Sequence, residues 1–265
     1  MIRSHAARGP RVEKSGFRWR GTEVSRLEAL SDAVFGFAIT LLVVSLEVPT
    51  TFAELLDLLR GLPAFAASFA VLFLVWLNQY RFFRRYGLED AATIWLNAVL
   101  LFVILFFVYP LKFVFQIVVV MMLGPAWFPT RHLHGDVVTA AQAPTMLELF
   151  GAGYVAVFAI FALLHLHALR VGETLELTEM ERFETRDNVR ESLLNVGVGA
   201  LSIAVAAIGG PGWARAAGFT YWLVGPLMTV NGFASAAARK RLLARLAAAP
   251  PARAPDGDPT LAPAG

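Results

Sequence analysis

The chain has 265 residues, of which 57% are hydrophobic and only 16% charged, with a formal net charge of +3. Soluble domains run at about 45–50% apolar and about 25% charged, so this composition excludes an ordinary water-soluble globule and makes lipid the solvent for much of the surface. The absence of cysteine excludes disulfides, thiolate metal sites and a thiol nucleophile, and the basic residues flank apolar runs, as orientation signals do, rather than forming a nucleic-acid footprint.

Residues 1–22 carry Arg3, Arg8, Arg11, Lys14, Arg18 and Arg20 with little to bury. They are expected to form a mostly disordered basic arm. No apolar core of a cleavable signal peptide is visible before residue 28. The membrane domain is expected over residues 23–245, and the Pro- and Ala-rich residues 246–265 as a disordered tail.

A membrane-crossing helix needs about 20 predominantly apolar residues. Six stretches meet or approach this: Leu30–Val48, closed by Pro49, then Leu62–Tyr80, Ala92–Leu111, Met146–Leu169, Ser192–Ile208 and Ala214–Ala237. The run Gly209-Gly210-Pro211-Gly212 predicts a tight turn between the last two. Phe113–Leu123 is apolar but too short to span; it prolongs the third helix, re-enters, or lies at the interface, and the sequence leaves these open. Gly124–Pro144 reads as a loop. Glu173–Arg190 alternates acids and bases and reads as a polar helix leading into the fifth span. The expected fold is all-α, a multi-pass protein of the cell membrane with six transmembrane helices. No internal repeat is visible, which disfavours an inverted-repeat transporter. Every Lys and Arg except Arg60, Lys112, Arg131 and Arg215 falls on one side of this topology. That asymmetry places both termini in the cytoplasm.

The first span carries the unusual chemistry. Asp32 lies at one end of an apolar helix, where a carboxylate costs about 2.5–3.5 kcal/mol at mid-membrane and less near the interface. It needs a partner on a neighbouring helix or subunit, or else water at an interfacial cap; sequence physics does not separate these. Phe37, Thr40, Leu41 and Val44 share one helical face. Such a stripe serves either helix packing or a pore. Gly36 permits close helix approach.

Arg26, Leu30, Ser31 and Asp32, then Thr40 and Pro49, resemble a motif of the transmembrane protein 175 family of potassium channels, with Leu30 in place of the usual Phe. The segment Trp76-Leu77-Asn78-Gln79-Tyr80-Arg81-Phe82-Phe83-Arg84 is similar to that family's second span, and Trp95-Leu96-Asn97 through Tyr109-Pro110 to its third. The resemblance covers residues 24–112 well and the remainder by topology. It implies a homotetramer of six-helix subunits in membrane lipid that passes potassium ions along first helices, with no cofactor and no nucleic acid. It also implies a hydrophobic constriction at Phe37, bulkier than the family's aliphatic residues, with Thr40, Leu41 and Val44 in further layers. A polar network of Arg26, Ser31, Asp32, Trp76, Asn78, Gln79 and Tyr80 is implied beside it, with Gln79 and Tyr80 where the family has histidines. No Thr-Val-Gly-Tyr-Gly selectivity filter appears, as expected of that family.

Other candidates are weaker. His132 and His134 with Asp136 are too few for a metal site. His165 and His167, two residues apart on a helix, point to nearly opposite faces. Lys112 reads as a snorkelling cation. No hydrolase, Walker, zincin or dinucleotide motif is present, so an enzyme is disfavoured. Two rival functions remain: a proton-coupled transporter using Asp32, and a non-conducting structural membrane protein.

Overall fold

The computed structural model describes residues 12–13, 16–44, 48–124 and 138–248. Among these the chain is helical: α1 (Arg26–Val44), α2 (Phe52–Arg60), α3 (Leu62–Tyr86), α4 (Ala91–Leu123), α5 (Ala143–Arg170), α6 (Glu179–Phe219), a short 3₁₀ turn (Thr220–Leu223) and α7 (Val224–Ala248). The stretches Leu62–Tyr86, Ala91–Leu123, Ala143–Arg170 and Glu179–Ala248 are long and apolar enough to cross a membrane. The last reverses at Gly210 and so makes two passes. α1, with 19 residues, rises roughly 28 Å and supplies another pass. The protein is therefore an all-α membrane bundle of six passes.

Successive passes alternate in direction, which leaves both ends of the bundle's chain at one end, here termed basal. Cross-links fix this arrangement: Arg84 meets Glu28, His167 meets Asp90, and Arg239 meets Glu184. α1 packs on α3 and α4, α4 on α5, and α5 along α6. The core that joins them includes Phe35, Ala38, Leu42, Phe82, Leu100, Ile104, Phe161 and Leu164.

Local chemistry explains the boundaries. Ser25 and Glu28 form a reciprocal cap at the start of α1: the Ser25 N–H donates to Glu28 Oε2 at 2.9 Å, and the Glu28 N–H to Ser25 Oγ at 3.1 Å. Thr178 and Glu181 repeat the device at the start of α6. Within α6, Gly210 takes φ 56° and ψ −150°, a region open essentially to glycine alone. The returning arm then lies against the outgoing one. Ser202 Oγ donates to Ala217 O at 2.9 Å, Asn195 faces Met228, and Arg190 and Asp187 both reach Ser235.

The structure answers some expectations and corrects others. The segment after Pro110 continues α4 as one 33-residue helix with the proline inside it. The first helix starts at Arg26, one turn before the expected Leu30; residues 45–47, just ahead of its expected end at Val48, lie outside the described residues. The sixth pass starts straight after Gly210 and is interrupted by the 3₁₀ turn. The largest correction concerns the basic arm. Residues 16–22 are docked, with Phe17 only 1% exposed, edge-on to Tyr86 at 5.5 Å. Burial of one aromatic ring and pairing of Arg18 and Arg20 with Glu181 supply what the local sequence lacked. Residues 1–11 and 249–265 lie outside the described residues; α7 itself runs to Ala248.

Candidate functional site

The site is built on the two sides of α1. Glu28, Ser31, Phe35, Ala38 and Leu42 are buried, and their alternating spacing of three and four residues keeps them on one face. Ala29, Ala33, Gly36, Phe37 and Thr40 are exposed on the opposite face, Phe37 with 57% of its surface bare. Leu41 stands between these faces, partly buried against the core. The side chain of Val44 lies outside the described residues. Thr40 Oγ1 donates to Gly36 O at 2.8 Å. That bond uses the hydroxyl proton and leaves oxygen lone pairs available.

Behind α1 runs a buried polar chain. Gln79 Nε2 donates to Asn97 Oδ1, Asn97 Nδ2 donates to Ser31 Oγ at 2.9 Å, and Ser31 Oγ donates to Leu27 O at 2.8 Å. Gln79, Asn97 and Ser31 are each at most 2% exposed. They come from α3, α4 and α1, so the chain pins three passes together. Amide and hydroxyl groups suit this place because each both donates and accepts without a net charge.

Asp32 sits on the flank of α1, exposed, and accepts the Trp76 indole N–H at 2.8 Å. Trp76 stacks on Tyr80, whose ring carries the Arg84 guanidinium at 5.4 Å. Phe65, Phe69 and Phe73 continue this aromatic row along α3. Of the residues singled out from sequence, Ser31, Asp32, Trp76, Gln79 and Tyr80 gather behind or beside α1. Arg26 and Asn78 do not join them: both are exposed. Arg26 lies on the same face as Phe37 and Thr40 by helical spacing.

Asn97 is the central member that sequence reading passed over; an amide inside an otherwise apolar span was the available signal. Among the other candidates, His165 is buried and bonds to Phe161 O, while His167 bonds to Asp90. Lys112 is buried at 8% exposure rather than snorkelling outward. His132, His134 and Asp136 lie outside the described residues. No metal-binding cluster exists among the described residues.

Fold and site together define a multi-pass helical membrane protein whose first helix is pinned on one side by buried amides and bare on the other. The family model for the endosomal/lysosomal potassium channel TMEM175 matches residues 26–107, the span that holds all of these groups. A protein of Marivirga tractuosa named potassium channel is 36% identical over 231 residues, covering 86% of this chain and 94% of that protein. A potassium channel of Chamaesiphon minutus is 36% identical over 97 residues, covering 34% and 48%. The crystal structure of the potassium channel MtTMEM175, as a variant bound to a nanobody fusion, superposes with a TM-score of 0.74 at 32% identity, over 85% of this chain and 99% of that one. A Chamaesiphon minutus homologue of the lysosomal potassium-selective channel TMEM175 shares the fold with a TM-score of 0.51 at 23% identity, over 78% of this chain and 96% of that one. The chain belongs to the TMEM175 family.

Proposed function

We propose that four copies of this chain form a potassium channel, with α1 of each copy facing a shared axis and both termini in the cytoplasm. The observation that carries this reading is the two-sidedness of α1: one stripe is sealed into the subunit, while the stripe with Phe37 and Thr40 is bare. The relatives named as potassium channels supply the ion.

In this reading four Phe37 rings form a hydrophobic constriction that closes by dewetting. Thr40 oxygens, their protons held by Gly36, replace part of the ion's hydration shell. Leu41 flanks that layer. The Gln79–Asn97–Ser31 chain and the Trp76–Asp32 contact, with Tyr80 behind, hold each α1 in register. Arg26 sits at the basal mouth on the axial face.

Bilayer recording of purified protein under potassium and sodium gradients tests the proposal. Wild type is expected to pass passive potassium current. Phe37→Ala is expected to raise it roughly tenfold, equivalent to about 1.4 kcal/mol of barrier. Silence in both proteins, or transport that requires a coupling gradient, sinks the reading.

A further inference from the structure

The docked segment ahead of α1 has a charged anchor far away in sequence. Glu181, 1% exposed, sits in the first turn of α6. Its carboxylate accepts the Arg18 backbone N–H at 2.9 Å and the Arg20 guanidinium at 2.8 and 3.3 Å. It also accepts the Thr178 N–H at 2.9 Å, which completes the helix cap. Arg20 Nε donates to Leu175 O at 2.8 Å, and Arg18 Nη2 to Glu176 O at 2.6 Å. A planar guanidinium gripped on two edges in this way is fixed in orientation as well as position.

The path from this anchor to α1 is short and also fastened. Arg20 and Gly21 N–H both donate to Arg84 O, at 3.1 and 3.2 Å. Arg84 Nη1 returns bonds to Gly21 O at 3.0 Å and Glu23 O at 3.1 Å. Its Nε lies 3.6 Å from Glu28, which caps α1. Gly21 packs so closely that a Cβ there would stand 2.5 Å from Phe83 O. Five residues separate Arg20 from Arg26, so the chain between them spans at most about 20 Å when extended. Arg18, Arg20 and Glu181 all lie outside the stretch matched by the family model.

We propose that Glu181 is a positioning residue for the ion-conducting helix: by clamping Arg18 and Arg20 it turns residues 16–25 into a strap that sets the basal end of α1. This rests on the channel reading above. The strap links α6, which does not touch the axis, to α1, which does. Movement of the start of α6 is thereby transmitted to α1, and release of the clamp breaks that connection while the Glu28, Ser31 and Asp32 contacts remain.

The test uses the full chain in liposomes and exploits its lack of native cysteine. A spin label on Thr22→Cys, an exposed strap position, reports docking; single-channel recording reports gating. In wild type the label is immobilised, and Glu181→Gln makes it mobile. Glu181→Gln shifts open probability by roughly fivefold or more, the low end of ordinary coupling between sites, with single-channel conductance unchanged. Arg20→Gln leaves the α6 cap intact and gives the same shift, and the double variant goes no further than either single one. A label that stays immobile in Glu181→Gln overturns the clamp. A freed strap with unchanged open probability overturns the positioning role. A wild type that passes no current removes the channel reading, and gating with it, whereas a mobile wild-type label removes the clamp alone.

Discussion

The two halves of α1 are held by different forces. From Arg26 to Asp32 the contacts are polar and directed: Glu28 closes the cap and meets Arg84, Ser31 receives the Asn97 amide, and Asp32 receives the Trp76 indole. From Phe35 onward the helix is held by apolar packing of Phe35, Ala38 and Leu42, while Thr40 bonds within its own turn. Hydrogen bonds weaken steeply with angle, so they resist rotation about the helix axis. Hydrophobic burial is non-directional and resists it much less. The basal half therefore fixes register, and the distal half, with Phe37 and Thr40, takes its orientation through the continuous helix and its apolar packing.

The sharpest way to break this comparison is Asn97→Leu. It strands the Gln79 amide in apolar surroundings and leaves the Ser31 hydroxyl with only its bond to Leu27 O, and is expected to cost about 3 kcal/mol. The readout is a lowered melting temperature in detergent, with loss of the proposed tetramer on size exclusion; an unchanged melting temperature would show that polar contacts do not fix the basal half. Leu42→Ala, at a position with no exposed surface, is expected to cost about 2 kcal/mol by cavity formation. If its melting temperature falls below that of Asn97→Leu, packing rather than polar contact dominates the helix.

The smallest effect lies at the same basal end, where Asp90 ties α4 to α5. Burial pushes its carboxyl up, but the Thr93 hydroxyl and the His167 ring outweigh this and hold it below the ordinary 3.8. A depressed carboxylate stabilises the fold above its ordinary value, and that contribution is lost as pH falls through the lower, folded value. A slight acid-side decline in melting temperature is expected in wild type and should be flatter in Asp90→Asn.

The passes were legible because apolar runs near bilayer length leave few alternatives, and the reversal at Gly209–Gly212 was legible from its glycines and proline. The course after Pro110 was not, because an eleven-residue apolar run fits several placements; packing settles it as more of α4. At the site, Ser31, Asp32, Trp76, Gln79 and Tyr80 stood out through the family motif, but Arg26 and Asn78 face away from them. Direction on a helix depends on which neighbours arrive, and one strand of sequence does not carry that. The docking of residues 16–22 was hidden for the same reason, since Arg18 meets its partner 163 positions later.

The reversal at Gly210 ties the last two passes into a unit. With φ 56° and ψ −150° at the residue where the chain turns, the two arms run side by side from that end onward, and a β-carbon at residue 210 would strain the turn itself.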